Sequence, residues 1–376
     1  MTRTPFFVKT GVMANDLLKH HFPPNLDSIW DKDFAIQLAA TQGAISGLNQ
    51  AVPLLLNPEL LKQPLLDKEA ESSSRLEGTQ ASAEDVYKAE LKNDPEKNDD
   101  VQETKNYRRA LETGVELIKS DPLSQTVIRQ IHQTLMDGAR GQTKNPGKYR
   151  TGNVWIGARG TGVDEARYVP PDALHIPELM GKLEAFIKDA NVHPLIACGV
   201  IHHRFEAIHP FEDGNGRTGR VVVTLYLLKT GMLAAPMLHP SGYFEKNRSD
   251  YMDALHAVDT SQDWYTWLSF FLKGIQTQAE LSLKVAREID GLFKYDRELI
   301  KDATAHLNLL RVLEFCFTQP FVSVRLISDR LDIPIQTVRR YVTTLEDKGI
   351  LYLSETLERG EKVYENKALL EILRQI

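Results

Sequence analysis

Apolar residues along most of the chain recur at intervals of three and four positions, the spacing that predicts amphipathic helices. The clearest helical patterns cover residues 34–48, 194–208, 217–229 and 264–294. Residues 49–70 contain three prolines and several leucines, so short helices and turns are predicted there. The pattern therefore predicts a mainly α-helical protein.

One stretch between predicted helices, residues 149–168, departs from the helical spacing. Val154, Trp155 and Ile156 favour a β-strand, and the glycine-rich residues 157–162 favour a turn. These features predict a β-hairpin in an otherwise helical region.

The last part of the chain combines helical and strand patterns. A helix is predicted over residues 309–317, a helix pair over 323–331 and 336–349, and two short strands over 351–354 and 362–364. Three helices followed by a two-stranded ribbon resemble a winged helix-turn-helix domain.

The charge of this C-terminal part bears on its role. From residue 321 to residue 376 there are nine Lys or Arg and nine Asp or Glu residues, whereas a DNA-binding module is usually basic. A protein contact, such as formation of a homodimer, is therefore the favoured interpretation. DNA binding stays an alternative, because Arg339 and Arg340 on the second helix of the pair could contact phosphates.

The same patterns predict three domains. Residues 1–103 form an N-terminal helical region, and a charged loop at residues 92–100 separates it from a central core at residues 104–295. Residues 305–376 form the C-terminal domain.

The composition and the N-terminal sequence indicate the cellular compartment of the protein. The 376 residues carry a formal net charge of −6, which argues against attraction of the whole molecule to nucleic acid or anionic lipid. The two cysteines, Cys198 and Cys316, lie in apolar helical patterns, so a disulfide framework is not expected. The N-terminus has no apolar stretch of signal-peptide length, and the longest apolar run falls far below the roughly 18 residues that span a bilayer. We expect a soluble, cytoplasmic protein.

The most informative stretch is the run HPFEDGNGRTGR at residues 209–220. Pro210 ends the preceding helix, and the glycines allow backbone conformations that are closed to other residues. The helix that starts near Arg217 presents its first backbone N–H groups to the loop, where they form an anion site suited to a pyrophosphate. Arg217 and Arg220, three residues apart, could both reach phosphate oxygens at this end of the helix.

Two further side chains complete a site suited to phosphoryl-type transfer. Asp213 supplies a hard carboxylate oxygen of the kind that binds Mg²⁺. His209 is of a residue type that can take a proton from an attacking hydroxyl near neutral pH. A general base, a metal ligand, an anion site and two guanidinium groups thus lie within twelve residues.

This run resembles the signature of Fic-domain proteins, His-x-Phe-x-(Asp/Glu)-Gly-Asn-Gly-Arg-x-x-Arg, and matches it at every defined position. The resemblance covers roughly residues 70–275 and implies a Fic helical core. It also implies a protein adenylyltransferase, which transfers AMP from ATP to a Tyr, Thr or Ser hydroxyl of a target protein. The implied roles are His209 as general base, Asp213 as Mg²⁺ ligand, Gly214, Asn215 and Gly216 as anion hole, Arg217 as ligand of the phosphates, Arg220 as ligand of the γ-phosphate, and Phe211 as the anchor of the loop.

A second motif, SSRLEG at residues 73–78, resembles the inhibitory motif of the same family, (Ser/Thr)-x-x-x-Glu-(Gly/Asn). Its spacing places Ser73 and Glu77 on one helix face, and the glycine after Glu77 is suited to end the helix. A glutamate in the last turn opposes the helix dipole, so a cation elsewhere would better explain its position. The resemblance implies that this cation is Arg220, and that an inhibitory helix at about residues 70–78 keeps ATP from binding productively.

Two further segments resemble parts of Fic-domain proteins. The hairpin at residues 149–168 resembles the family's flap, which would dock the target protein by adding a segment of it as an extra strand. Tyr243, Asn247 and Tyr251 resemble residues that line the adenine pocket, and a core aromatic residue is the alternative for Tyr251. The resemblance also implies that the chain could modify itself.

Other interpretations fit the sequence less well. GNGRTG at residues 214–219 matches the dinucleotide-binding pattern GxGxxG, but a helix rather than a strand precedes it. The histidines within residues 202–209 could suggest a metal cluster, but adjacent histidines cannot lie on one face of a helix. A solvated surface carboxylate stays the alternative for Glu77, and a purely structural hairpin stays the alternative for the flap.

Two rival functions stay open. In some Fic relatives the inhibitory glutamate supports removal of AMP, so a hydrolase that needs Glu77 is one alternative. A DNA-binding regulator whose core senses a nucleotide is the other.

Overall fold

The computed structural model describes residues 21–91, 98–138, 143–157, 162–303, 306–357 and 360–376. Part of the predicted charged loop, residues 92–97, lies outside the described residues. The described chain is mainly helical, as the sequence predicts. Within it, no helix combines the length and the hydrophobicity that a bilayer span requires.

The α-helices follow one another along the chain as α1 (Lys32–Ala51), α2 (Glu59–Leu76), α3 (Ala83–Leu91), α4 (Asp99–Ser120), α5 (Gln125–Leu135), α6 (Ile176–Asp189), α7 (Pro194–Ile208), α8 (Asn215–Lys229), α9 (Pro240–Lys246), α10 (Arg248–Ser261), α11 (Trp264–Ile300), α12 (His306–Thr318), α13 (Val324–Leu331), α14 (Ile335–Asp347) and α15 (Lys367–Leu373). The β-strands are β1 (Phe321–Ser323), β2 (Tyr352–Thr356) and β3 (Lys362–Glu365).

The chain divides into two compact units. Unit 1 comprises residues 21–43, 106–234 and 243–276, and unit 2 comprises residues 44–105, 235–242 and 277–376. The units do not coincide with the three domains expected from the sequence, because unit 2 combines segments from both halves of the chain. As separately folding domains, residues 1–103, 104–295 and 305–376 stay a prediction.

Helices α7 and α8 form the centre of unit 1. Almost every residue of both helices is buried, which is the burial expected of a core helix that is apolar on all sides. Helix α7 packs against α6 and α8, and α8 also packs against α5. The C-terminus of α7 and the N-terminus of α8 therefore have little freedom to move, and the signature run lies between them.

Helix α2 in unit 2 corrects one expectation. Short helices and turns were predicted over residues 49–70. The 3-10 helix Val52–Leu54 agrees with this, but a single α-helix of 18 residues begins at Glu59 and contains Pro64. Proline removes one backbone donor, and the carbonyl that loses its partner belongs to Leu60 in the first turns of the helix. Burial of Leu61 and Leu65 outweighs that local cost, because tertiary packing supplies most of a helix's stability.

The last part of unit 2 contains the predicted helices and strands close to their expected positions. Strands β1, β2 and β3 form an antiparallel sheet in the order β1-β3-β2, with an irregularity in the pairing between Leu353 and Glu355. Strand β1 and helix α15 add to the predicted elements. Val312, Val338 and Leu369 lie in the core that α12, α14 and α15 share.

The predicted β-hairpin at residues 149–168 is represented by one antiparallel bridge, between Ile156 and Tyr168. The Ile156 N–H donates to the Tyr168 carbonyl (2.9 Å), and the Tyr168 N–H donates back to Ile156 (3.1 Å). Part of the predicted turn, residues 158–161, lies outside the described residues. Within the described residues this segment has a single bridge and one 3-10 turn, Val163–Glu165, rather than two regular strands.

Candidate active site

Helix α7 carries His209 at its C-terminus. His193 caps the other end, where its Nδ1 accepts a hydrogen bond from the Leu195 N–H (3.2 Å). The helix ends because His209 adopts a left-handed backbone conformation, with φ 50° and ψ 61°. That conformation is uncommon for a residue other than glycine and marks a position that the surroundings must hold. The His209 side chain is partly exposed.

The loop between α7 and α8 is held by one asparagine side chain. Asn215 Oδ1 accepts the Phe211 N–H (2.8 Å), and Asn215 Nδ2 donates to the Phe211 carbonyl (2.9 Å). Phe211 itself is fully buried. The Asn215 side chain therefore fixes the loop, and its backbone N–H is the group that the predicted anion hole could use.

Gly214 is the residue at which the loop enters α8. Its φ is 75°, and a Cβ built on it would lie 2.7 Å from Met136 Sδ. The Gly214 N–H donates to Asp213 Oδ1 (2.6 Å), so it is already engaged by the loop. The backbone N–H groups of Asn215 and Gly216 follow as the first donors of the helix, since a helix N-terminus has no carbonyl one turn earlier to receive them.

The two arginines of the signature are both buried in the first turns of α8, with 4% of Arg217 and 2% of Arg220 exposed. Arg217 Nη2 lies 3.7 Å from Asp213 Oδ1. Helix α7 packs closely on this turn, because a Cβ built on Gly219 would clash with Glu206 Oε1. Burial of charged side chains of this length restricts the positions that their guanidinium groups can take.

His132 on helix α5 reaches the same loop. Its Nδ1 accepts the Gly147 N–H (2.8 Å), which leaves Nε2 as the protonated nitrogen, and Nε2 donates to the Asp213 carbonyl (2.9 Å). The ring stacks on Phe211 with centroids 3.7 Å apart. Burial lowers the pKa of His132 to about 4. A neutral imidazole with a defined tautomer thus ties the loop to the segment that precedes residues 149–168.

Of the residues expected around adenine, Tyr243 lies in α9, Asn247 lies between α9 and α10, and Tyr251 lies in α10. Asn247 Nδ2 donates to the Tyr243 carbonyl (2.9 Å), and the Tyr251 N–H donates to the Asn247 carbonyl (2.9 Å). Tyr243 is partly exposed, whereas Tyr251 is buried, with its hydroxyl 2.8 Å from His202 Nε2. Burial of Tyr251 favours the core aromatic alternative, and the adenine contacts stay a prediction.

The predicted inhibitory motif ends helix α2 in unit 2. Ser73 is fully buried and Glu77 is exposed. Gly78 has φ 96°, its N–H donates to the Arg75 carbonyl (3.0 Å), and the Thr79 N–H donates to the Ser74 carbonyl (3.2 Å). This pair of bonds is the Schellman arrangement, which ends a helix at a glycine.

Two other acids anchor the same helix within unit 2. Glu69 accepts the Ser241 hydroxyl (2.5 Å) and the Ser241 N–H (3.0 Å), and both residues are buried. Glu71 pairs with Arg75 (2.6 Å) and accepts the Ala83 N–H (3.3 Å). The end of α2 is therefore fixed by hydrogen bonds as well as by packing.

Two residues of the site, His132 and Arg150, were not predicted from the sequence. Arg150 donates from Nε to the His209 carbonyl (2.8 Å), although 59 positions separate the two residues. The only signal in the sequence was local, a histidine on an apolar helical face and the run GKYR before the predicted strand. Neither pattern indicates which distant segment the side chain of His132 or of Arg150 contacts.

Two family models match the chain. Residues 122–227 match the Fic/DOC family, and residues 36–116 match the Fic/DOC family N-terminal region. The resemblance inferred from the signature run is therefore confirmed over these residues. The first match includes the run from His209 to Arg220 and the second includes Ser73 and Glu77.

Curated relatives that match at low identity are named protein adenylyltransferases. A probable protein adenylyltransferase of Aquifex aeolicus is 26% identical over 209 residues, which cover 52% of this chain and 60% of that protein. Protein adenylyltransferase fic-1 of Caenorhabditis elegans is 23% identical over 167 residues, covering 44% of this chain and 28% of that protein. The chain thus spans less than two thirds of the length of each of these relatives.

Solved structures share the fold. A Fic family protein from Desulfovibrio desulfuricans has a TM-score of 0.57 at 22% identity, covering 88% of this chain and 95% of that one. A Fic domain-containing signaling protein from Bacteroides thetaiotaomicron has a TM-score of 0.52 at 20% identity, covering 67% of this chain and 97% of that one. At this identity the likeness concerns the fold alone.

Proposed function

We propose that this protein is a protein adenylyltransferase, which transfers AMP from ATP to a hydroxyl group of a target protein. The observation that carries the proposal is the loop that joins His209 to the N-terminus of α8. Asn215, His132 and Gly214 hold that loop in one conformation. The names of the matched relatives support the same reaction.

The side chains of the loop have separate roles in the proposed reaction. His209 accepts the proton of the target hydroxyl as its oxygen attacks the α-phosphorus of ATP. The bond from that phosphorus to the β-phosphate oxygen breaks, and pyrophosphate leaves. The N–H groups of Asn215 and Gly216 and the guanidinium groups of Arg217 and Arg220 hold phosphate oxygens and stabilise the charge that develops there.

Asp213 fits the expected Mg²⁺ ligand. Its side chain is 48% exposed, and its Oδ1 accepts the Gly214 N–H, while Oδ2 has no hydrogen-bond partner among the described residues. No group of three or more His, Cys, Asp or Glu side chains in the described residues could hold a metal ion. A single carboxylate is sufficient for Mg²⁺, which otherwise takes phosphate oxygens and water as ligands. When bound, the ion would offset negative charge on the phosphates.

Autoinhibition by Glu77 is the second part of the proposal. Glu77 lies at the C-terminus of α2, where a carboxylate opposes the helix dipole and gains from a cation. In the proposed inhibited state Glu77 pairs with Arg220 and denies that guanidinium group to the γ-phosphate. Ser73, one turn earlier on α2, belongs to the same motif.

The remaining parts of the proposal concern partners. The segment 149–168 would act as the flap on which a target protein docks, and Trp155 within it is 49% exposed. The order of elements from α12 to β3 favours a winged helix-turn-helix domain, with a protein contact or homodimer as its role and DNA binding as the alternative. The chain itself would be one of the acceptors of AMP.

The proposal is tested with ATP labelled at the α-phosphate. Wild-type, Glu77→Gly and Glu77→Gly/His209→Ala proteins are incubated with Mg²⁺, alone and with cell lysate. We expect strong protein labelling from Glu77→Gly alone, because only that variant has both a free γ-phosphate site and a base. Loss of the base should lower labelling by roughly 100-fold or more.

A parallel reaction with ATP labelled at the γ-phosphate is the control, and it should leave all proteins unlabelled. Transfer of the γ-label would replace AMP transfer by phosphorylation. If no variant labels protein and the wild type removes AMP from a premodified protein, the hydrolase alternative replaces the proposal. Absence of both activities with salt-sensitive DNA binding would favour the regulator.

A further inference from the structure

Arg150 is a buried arginine whose side-chain hydrogen bonds, within the part of the chain that the structure describes, all go to the protein backbone. It is 2% exposed. Its Nε donates to the His209 carbonyl (2.8 Å), and its Nη1 donates to the Gly152 carbonyl (2.9 Å). Its Nη2 donates to the Pro171 carbonyl (2.6 Å) and more weakly to the Ile208 carbonyl (3.4 Å).

The backbone of Arg150 adds a fifth contact, because its N–H donates to the Pro210 carbonyl (2.9 Å). Arg150 thus binds three consecutive residues at the end of α7, namely 208, 209 and 210. Desolvation of a guanidinium group is costly unless hydrogen bonds replace the lost water. The carbonyl groups supply those bonds, so removal of Arg150 would leave several buried acceptors without a donor.

The contact with His209 acts on an unusual backbone conformation. His209 has φ 50°, a region that is unfavourable for a non-glycine residue and persists only where the surroundings hold it. A donor on its carbonyl fixes the orientation of the peptide that follows. Because the Cα–Cβ direction depends on that backbone, Arg150 also fixes the direction in which the imidazole leaves the chain.

The same guanidinium group holds both ends of the segment 149–168. Gly152 lies near its beginning and Pro171 just beyond its end. Tyr168 adds a bond of its own to α7, where its hydroxyl donates to the Ala207 carbonyl (2.8 Å). One side chain therefore connects the two ends of this segment to the residue that carries the imidazole.

We infer that Arg150 is a positioning residue. It holds the segment on which the target docks at a fixed position relative to the imidazole of His209. This inference rests on the proposed function, in which residues 149–168 present the target hydroxyl. In the proposed reaction Arg150 touches neither the nucleotide nor the hydroxyl. It acts through the backbone of Gly152, Pro171 and His209.

The test uses the full-length Glu77→Gly protein as the parent, with Arg150→Lys and Arg150→Ala added to it. The probe reaction is transfer of α-labelled AMP, to the chain itself or to the acceptor found in lysate. We expect kcat to fall by roughly 100-fold in Arg150→Ala, because a displacement of about 1 Å is sufficient for such a loss. The KM for ATP should change by less than about twofold, since Arg150 contacts no part of the predicted phosphate site.

Arg204→Met is the matched control for loss of a buried arginine. Arg204 is also 2% exposed and packs between the rings of Phe22 and Trp264, and its side chain donates no hydrogen bond within the described residues. It should lose stability without losing kcat. Ethylguanidinium added to Arg150→Ala should restore part of kcat and should have no effect on Arg204→Met.

A readout without AMP transfer separates failure of this inference from failure of the proposed function. The imidazole resonances of His209, followed by NMR across pH, should shift in Arg150→Lys and stay unchanged in Arg204→Met. If the parent transfers no AMP, the proposed function fails, and the NMR comparison still decides the role of Arg150. Arg150→Lys also replaces Arg150→Ala if the alanine variant does not fold.

Three results would overturn the inference. The first is a kcat in the Arg150 variants equal to that of the parent. The second is a set of unchanged His209 resonances in Arg150→Lys, and the third is a loss of kcat in Arg204→Met as large as that in Arg150→Ala. Either of the last two would make the effect one of general stability.

Discussion

At the scale of single residues, two separate features of the structure require a glycine at position 214. Its φ of 75° lies in the region that favours glycine, and a Cβ there would lie 2.7 Å from Met136 Sδ and 3.4 Å from Leu135 Cδ2. Both requirements act at the entrance to α8, next to the carboxylate of Asp213. A substitution here therefore changes the loop itself.

Gly214→Ala should lower the free energy of unfolding by about 1–3 kcal/mol from backbone strain, with a further loss from the contact with Met136. Urea unfolding measures this change. Gly181→Ala is the matched control, because Gly181 lies inside α6 and nothing lies within 4 Å of its built Cβ. That control should raise stability by roughly 0.5–1 kcal/mol. If the two substitutions changed the free energy of unfolding equally, position 214 would have no special requirement for glycine.

The signature run could be predicted from the sequence because its residues are neighbours along the chain. Its backbone conformations follow from local chemistry, as the positive φ of Gly214 shows. The partners of that run could not be predicted in the same way. His132 contacts Asp213 across 81 positions, and no local pattern specifies which loop a buried imidazole will reach.

At the scale of elements, the end of α2 illustrates how a helix terminus is specified. The Schellman bonds at Gly78 satisfy two of the last carbonyl groups of the helix. Gly78, which follows Glu77 in the motif, has the positive φ expected of a glycine that ends a helix, so the end of this helix was predicted correctly. Its beginning was not, because packing of Leu61 and Leu65 overrides the proline signal.

Gly78→Ala should lower the free energy of unfolding by about 1 kcal/mol, because alanine disfavours the left-handed region. No atom lies within 4 Å of the built Cβ, so the loss should come from the backbone alone. Gly78→Asn should lose less, since asparagine tolerates this conformation better. Thermal unfolding of the two variants checks the order, and an alanine variant as stable as the wild type would contradict it.

At the scale of the whole molecule, buried histidines set the response to acid. Burial lowers the pKa of His132 to about 4 and the pKa values of His202 and His239 to about 3. Between about pH 4 and 6.5 the unfolded chain binds a proton at each of these residues and the folded protein does not, so stability falls as the pH falls. Asp296 acts in the opposite direction, because burial raises its pKa to about 7. The effect of the three histidines exceeds that of Asp296, so the protein loses stability in acid.

The free energy of unfolding should therefore decrease steadily from pH 6.5 to pH 4, with roughly 3 kcal/mol lost through each histidine. His239→Gln should make this decrease shallower by about 1.4 kcal/mol per pH unit, since one of the three protons is removed. Urea unfolding at half-unit pH intervals measures the slope. The exposed His21 provides the control, and His21→Gln should reproduce the wild-type slope. A wild-type curve that is flat over this range would contradict the prediction.

The mainly helical class was predictable from the sequence at this scale, because the spacing of apolar residues is repeated along the whole chain. The division into two units was not. Unit 2 joins residues 44–105 to residues 277–376, and such an association depends on which apolar faces match rather than on any boundary in the sequence.

Among the described residues, the four side-chain hydrogen bonds of Arg150 all go to backbone carbonyl groups. This bears on which substitutions the protein can tolerate during evolution. Every residue type carries a carbonyl, so most substitutions at Gly152, Pro171, Ile208 or His209 leave an acceptor in place. Under the proposed function, the sequence between residues 151 and 168 could therefore vary, and so suit new acceptor proteins, without loosening the attachment of the imidazole. Arg150 itself has no such freedom, since no other side chain offers five donors in one plane.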